Sequence, residues 1–479
     1  MSSSQMNEQV IGETARGRER DVIYHVKQED GNVILQSGES EEVIRDEDVI
    51  AVVNDSISKL EGPNGMSEQH SILLISSKTK DQTRKEFKFE SFQVKNIPRL
   101  FLDRFCISPH PPHLLIPRGP DDDTPNIHII ISIRSGTGEA QHFFDNVVRS
   151  TFMAMGLLEQ VYKTHVTESE RSITELTRTV FLPRANNGIA QTILLLSGDG
   201  GIVDIVNVLL SASQSSLYVK PAIGIVTMGT GNALANSTGL DRSITRGLTN
   251  FFRGTPHSLP TFTAKFSPGS EFLVDEGRSS EPLPPSDAGS GVVYGAVVCS
   301  WALHASLVAE SDTTEYRKYG TSRFQMAATE LLIPSDGSEP HVYRGKITLI
   351  KSDPTGREIR HTLERQEHMY ILATLVSNLE ETLTISPDSE PLDGQLRLVH
   401  FGSVSSAEVM RILGMAFQGG GHVKDEAVGY ENINGLRIDF DEKDSRWRRV
   451  CVDGKIVRVS EGGWVEVRKN TREVLDIVV

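Results

Sequence analysis

The chain has 479 residues, 38% hydrophobic and 24% charged, an ordinary globular composition but too long for a single hydrophobic core. Its formal charge of −15, with no dense Lys/Arg block, argues against nucleic acid as the main ligand, because binding a phosphate backbone rests on clustered cations. Three widely separated cysteines, Cys106, Cys299 and Cys451, fit reduced thiols, and nowhere do 18 apolar residues run together. The expectation is a soluble, cytoplasmic protein that meets membranes only transiently.

Residues 1–20 read as disordered. From Val22 to about Ile116 the short runs VIYHV, NVILQ, VIAVVN and SILLIS are separated by Gly, Asn and Asp, which predicts a small β-rich domain over 21–118. PHPPHLLIPRGPDDDTPN then reads as a linker, its acidic PDDDTP a solvated stretch. Beyond it the rhythm alternates. IHIIISI is a buried strand, Glu139 to Gln160 carry Phe143, Val147, Met153 and Leu157 at helical spacing, and YKTHVT, TILLLS and AIGIV begin further strands. Strands alternating with helices predict a parallel sheet with right-handed crossovers. Gly277 to Gly291 reads as a flexible insertion. VYGAVV, RGKITLI, MYILATLV, GQLRLVHF and KIVRV after it predict a second, β-rich lobe, and QGGGH, Gln418 to His422, a mobile loop. Trp301 and His304 read as core packing.

In an open α/β sheet, ligands bind outside the carboxyl ends of the strands. Three glycine-rich turns fall at such ends: SIRSGTGEA, SGDGG and TMGTGN. Each offers free backbone N–H groups near a helix N-terminus, where the dipole favours an anion and glycine lets a phosphate approach closely. Three of them on one sheet point to a nucleotide polyphosphate. Asp199, a carboxylate among those glycines, would repel phosphates unless it held Mg²⁺ or took the proton of an attacking hydroxyl; the plainer alternative is a cap on the following helix. A dehydrogenase is disfavoured, because GTGNAL lacks the full G-x-G-x-x-G arrangement.

These residues resemble a family. SGDGGIVDIVNVLL is similar to the GGDGTxxEVxNGL signature of diacylglycerol-kinase-type catalytic domains, GTGNALA (Gly229 to Ala235) to their second nucleotide loop, and SGTG (Ser135 to Gly138) to the first. Ser300 to Phe324, SWALHASLVAESDTTEYRKYGTSRF, resembles the lipid-recognition segment of sphingosine and ceramide kinases. ISPDSEPLDGQLRLVHFG and VDGKIVRV resemble the closing motifs of their β lobe.

The resemblance implies an ATP- and Mg²⁺-dependent lipid kinase with an α/β nucleotide-binding lobe over 119–255 and a β-sandwich, lipid-binding lobe over 256–479. It implies Asp199 as the base for the lipid hydroxyl, and Ser135, Gly136, Ser197, Gly198, Gly200, Gly229, Thr230, Gly231 and Asn232 around the phosphates, with Thr167 near the nucleotide. Arg317 and Arg323 would neutralise the triphosphate. For a sphingoid acceptor, Glu310 or Asp312 would meet the ammonium, although alignment from Trp301 instead puts Ser306 opposite the family's aspartate.

The chain also departs from the pattern. The threonine of the central motif is Gly201, the helix glutamate is Asp204, and the glutamate of the terminal DGE is Lys455. A lysine there can reach a phosphate but cannot hold a metal. Two alternatives therefore stand beside a sphingoid-base kinase: a kinase of the same fold acting on diacylglycerol or another acceptor, and a nucleotide- or lipid-binding protein that has lost catalysis.

Overall fold

The computed structural model describes residues 24–29, 32–37, 40–54, 70–81, 84–107, 110–115, 124–229, 231–240, 243–286, 289–320 and 322–479. Residues 1–20, Thr230 and the acidic 120–123 lie outside these. Two compact units result, one of residues 1–74 with 90–108 and one of 75–89 with 109–479.

The first unit is built on the sheet formed, in spatial order, by Ser40–Ile44, Asn32–Ser37, Tyr24–Glu29, Arg84–Lys95, His70–Asp81 and Val49–Asn54. Val33, Leu35, Val52, Ile72 and Val94 fill its core with Phe101 and Phe105 of the Arg99–Phe105 helix.

The second unit opens with a sheet ordered Pro256–Ser258, Asp476–Val478, Ala222–Thr227, Thr192–Ser197, Ile127–Ile131, Tyr162–Val166. Every pairing is parallel except that of the Pro256–Ser258 edge. Thr192–Ser197 and Ala222–Thr227 are buried at every residue, as central parallel strands covered on both faces must be. From Ile127–Ile131 the chain first crosses to Tyr162–Val166 on one side and then to Thr192–Ser197 on the other. This reversal opens a crevice at the carboxyl ends of Ile127–Ile131 and Thr192–Ser197.

Two antiparallel sheets follow. One runs Gly291–Gly295, Phe262–Phe266, Trp464–Lys469, Gly435–Phe440, Tyr343–Ser352, Glu358–Thr362; the other runs from Ser279–Pro282 through Glu271–Val274, Lys455–Arg458, Arg449–Val452, Val298–Ala302, Tyr370–Thr374 and Leu396–Phe401 to Val428–Ile433. The fold is thus an α/β lobe with a parallel sheet followed by a β-sandwich, with a small β-rich N-terminal region. Trp301 is fully buried in the sandwich, packed on Tyr343, Phe440 and His368, with its indole N–H donated to the Trp447 carbonyl at 2.9 Å. Asn207 joins helix to sandwich by accepting the Tyr294 N–H at 3.0 Å and donating to its carbonyl at 2.8 Å.

Several expectations are corrected. The helix predicted over Glu139 to Gln160 ends by Ala154, because Gly156 turns left-handed, and Phe144–Val148 form a π-turn. The wider turn shifts the buried face toward Thr151 and Phe152, which leaves Met153 63% exposed. The insertion predicted to be flexible contains the strand Ser279–Pro282, hairpinned onto Glu271–Val274. QGGGH is packed over its second half, where His422 is buried and a Cβ on Gly420 would lie 3.0 Å from Pro387, while Gln418 and Gly419 are exposed. The three-residue strand Asp476–Val478 returns the chain end to the parallel sheet, a pairing too short to show any periodicity.

Candidate active site

The three glycine turns meet. Gly136 has φ +55, and a Cβ there would fall 2.1 Å from the Met228 carbonyl oxygen. A Cβ on Gly229 would come within 2.8 Å of the Gly198 Cα and 2.6 Å of Asn232 Oδ1. Side chains at either position would force the loops apart. Ser135 Oγ accepts the Gly198 N–H at 2.9 Å, and Asn232 Nδ2 donates to the Gly229 carbonyl at 3.2 Å.

Gly198 is the N-cap of the Asp199–Ser211 helix, and Asp199 does not cap that helix. Its Oδ2 instead accepts the N–H of Ala233, the first residue of the neighbouring Ala233–Thr238 helix, at 2.6 Å. One carboxylate thus ties the second glycine turn to the third. The place of the expected threonine has no room for one: a Cβ on Gly201 would meet Ser197 Oγ at 2.9 Å and Ile173 Cδ1 at 3.2 Å.

The two other departures are partners. Lys455 Nζ lies 2.6 Å from Asp204 Oδ1. Burial pushes the Asp204 carboxyl up and the lysine pulls it back. Lys455 is delivered by a turn in which Asp453 and Gly454 are both left-handed. Asp453, which the sequence did not mark, anchors that turn by accepting the N–H groups of Ala296, Val297 and Val298 at 2.6, 3.1 and 2.6 Å. Burial pushes its carboxyl to about 6 against the pull of these amides.

These elements line one cleft of about 2040 Å³. Its wall includes Ser135, Gly136, Gly198, Asp199, Gly200, Gly229, Gly231, Arg317, Arg323, Glu310, Asp312 and Lys455. Thr167, Ser197 and Asn232 are buried behind the wall, not on it. Part of the wall is apolar, formed by Leu303 and Leu307 of the Leu303–Ser311 helix, Leu332 of the Ser322–Leu332 helix, and Met410 and Leu413 of the Ser406–Ala416 helix. Ser406 Oγ donates to the Leu332 carbonyl at 2.7 Å and holds the last two together. The sequence reading missed this wall, whose only signal was apolar helical spacing.

The charged candidates are already engaged with one another. Arg317 forks onto Asp312, with Nε and Nη2 at 2.9 and 3.0 Å from its two oxygens, and Arg323 approaches the same carboxylate at 3.5 Å. Glu310 accepts from Arg446 at 3.2 Å and Arg449 at 2.8 Å. His304 lines the cleft rather than a closed core; its Nδ1 is 2.7 Å from Ser300 Oγ, and burial pulls its pKa to about 4. Among the described residues no group of three or more His, Cys, Asp and Glu can hold a metal, and no helix is long and apolar enough to cross a membrane.

The diacylglycerol kinase catalytic domain matches residues 126–264, and the chain is similar to lipid kinases of that type. It is similar to sphingosine kinase 1 of Arabidopsis thaliana, 22% identical over 405 residues that span 76% of this chain and 73% of that protein. Sphingoid long-chain bases kinase 1 of the same plant is 34% identical over 110 residues, 23% of this chain and 14% of that protein. Among solved structures, a diacylglycerol kinase from Bacillus anthracis str. Sterne aligns with a TM-score of 0.44 at 12% identity, covering 75% of this chain and 98% of that one.

Proposed function

We propose that the protein transfers the γ-phosphate of ATP to the primary hydroxyl of a sphingoid base or related long-chain lipid. One observation carries this reading: the same cleft is lined by the three glycine turns with Asp199 and by an apolar wall. Such a cleft suits a polar head at the phosphates and a chain against the leucines. The hydroxyl oxygen forms a bond to the γ-phosphorus as the bond to the ADP oxygen breaks, and the hydroxyl proton passes to Asp199. The turn backbones hold the phosphates in line, so positioning and charge stabilisation do most of the work.

Mg²⁺ is commonly held by one or two carboxylates plus phosphate oxygens and water; Asp204 is paired with Lys455, so the ion would rest mainly on phosphate oxygens and water, leaving Asp199 as the base. Bound there, the ion would neutralise phosphate charge. The names of the two plant relatives support a sphingoid acceptor, with diacylglycerol the alternative in the same fold. Met410 and Phe417, 43% and 51% exposed where they line the cleft, suit brief contact with the bilayer that holds the acceptor.

The Lys455–Asp204 pair favours a second reading, a binder without turnover, since it places an ammonium where the family carries a carboxylate. Labelled ATP with Mg²⁺ and a lipid panel separates the two. Labelled lipid supports the kinase, and ATP binding without labelled lipid supports the binder.

A further inference from the structure

A cationic lipid head needs an anion in the cleft, and the segment expected to supply one has none to spare. Glu310 is shared by Arg446 and Arg449, Asp312 by Arg317 and Arg323. Ser306, the other aligned position, accepts the Tyr343 hydroxyl at 2.8 Å and is buried.

Glu380 is differently placed. It lies in the turn after the Tyr370–Thr374 strand, half-buried in the cleft wall beside Leu379, Leu383 and Ile385. Among the described residues no hydrogen bond or ion pair reaches its carboxylate. The turn is nonetheless firmly built. The Glu380 carbonyl accepts the Leu383 N–H at 3.2 Å and Asn378 Nδ2 at 3.4 Å, and the Asn378 N–H is donated to Ser237 Oγ of the Ala233–Thr238 helix at 3.0 Å. The Leu379 carbonyl oxygen lies 3.9 Å from where a Cβ on Gly231 would stand, so the turn sits beside the third glycine loop.

The cation acting on Glu380 is Arg323, itself incompletely paired among the described residues: its side chain is 13% exposed, its buried Nε has no hydrogen-bond partner there, and its one carboxylate contact there is the 3.5 Å approach to Asp312. Burial pushes the Glu380 carboxyl up and the Arg323 guanidinium down. An under-satisfied acceptor and an under-satisfied donor thus share the cleft at the edge of the glycine turns. A half-buried carboxylate of this kind gains most from a ligand that brings its own positive charge.

We propose that Glu380 reads the ammonium of a long-chain 2-amino alcohol, while Arg323 receives the phosphate carried by the neighbouring carbon after transfer. This rests on the kinase reading of the same cleft and narrows its acceptor. A 2-amino-1-phosphate carries a cation and an anion on adjacent carbons, the first for Glu380 and the second for Arg323. N-acylation removes the ammonium, and diacylglycerol never has one, so both leave Glu380 buried without a partner.

The test is equilibrium binding of a fluorescent long-chain 2-amino alcohol and its N-acetyl derivative, both in neutral detergent micelles, to the wild-type chain and to Glu380→Gln. The wild type should prefer the free amine by tenfold or more, on the order of a charge-assisted hydrogen bond, and the variant should lose most of that preference with an unchanged melting temperature and unchanged Mg·ATP titration. A preference retained in the variant, no preference in the wild type, or a variant defect confined to Mg·ATP binding would each overturn the assignment; the last would make Glu380 a metal ligand. Because binding needs no turnover, a wild-type chain that selects the amine but never phosphorylates it removes the kinase reading and leaves Glu380 standing.

Discussion

At the glycine turns of the cleft, backbone approaches backbone: Gly136 sits under the Met228 carbonyl, Gly229 against Gly198, and one carboxylate oxygen of Asp199 reaches the Ala233 amide. The rest of the wall is made by side chains from four stretches distant in sequence, around residues 303–332, 379–385, 410–417 and 449–455. The first arrangement tolerates no side chain at Gly136 or Gly229, because a Cβ there collides with main chain. The second tolerates exchange of one apolar side chain for another, and there a family can change its acceptor without changing its fold.

That contrast predicts a graded response to mutation. The largest effect belongs to Asp199→Asn, which should lower lipid phosphorylation by roughly two to four orders of magnitude, the usual range for general acid–base catalysis, with little change in melting temperature. Turnover assays alongside thermal melts check it. Near wild-type turnover would reduce Asp199 to a tie between two loops.

Gly136→Ala comes next. It places a Cβ at positive φ and 2.1 Å from a carbonyl oxygen, so nucleotide affinity should fall about 10- to 100-fold, as expected for a few kcal/mol of strain spread over the loop. Conservative swaps on the apolar wall, such as Leu413→Met, should change the apparent affinity for lipid by only a few-fold, and ATP titration should not respond. Equal damage from the two substitutions would erase the distinction between the two parts of the wall.

Lys455→Glu probes the seam between them. It sets a second carboxylate against Asp204, 2.6 Å from where the ammonium now sits, and should weaken ATP binding by about tenfold through like-charge repulsion at a half-exposed site. Isothermal titration with and without Mg²⁺ reads it. Tighter ATP binding, or turnover appearing only in the variant, would favour the binder reading of the wild type.

The smallest effect is on stability against pH. Burial pulls His165 in the parallel sheet and His368 in the sandwich to about 4, from an ordinary 6.5. Between those values the unfolded chain binds more protons than the folded one, so stability is lost as pH falls from 6.5 toward 4. The melting temperature should drop by several degrees across that window, and His368→Gln should flatten part of the slope. An unchanged slope would take His368 out of the acid response.

How much of this was legible follows the same division. The strands of the parallel sheet and the glycine turns were readable, because a run such as TILLLS followed by Gly-Asp-Gly-Gly encodes its structure within ten residues. Arg317 and Arg323 were visible as charges, but their convergence on Asp312 was not, since spacing along a chain does not name a partner across a loop. Lys455 and Asp204 looked like two separate departures; 251 positions apart, they became one ion pair only in the folded chain. Glu380 carried no signal at all, because what distinguishes it is the partner it lacks.

In the proposed reaction one cleft brings a nucleotide and a long-chain lipid together for phosphoryl transfer. Its most direct test is to incubate the purified full chain with γ-labelled ATP and Mg²⁺ in mixed micelles containing, in turn, a sphingoid base, a ceramide and diacylglycerol. Labelled lipid is expected, most of it from the sphingoid base and nearly none with Asp199→Asn. Measurable ATP binding with no labelled lipid from any acceptor would contradict it.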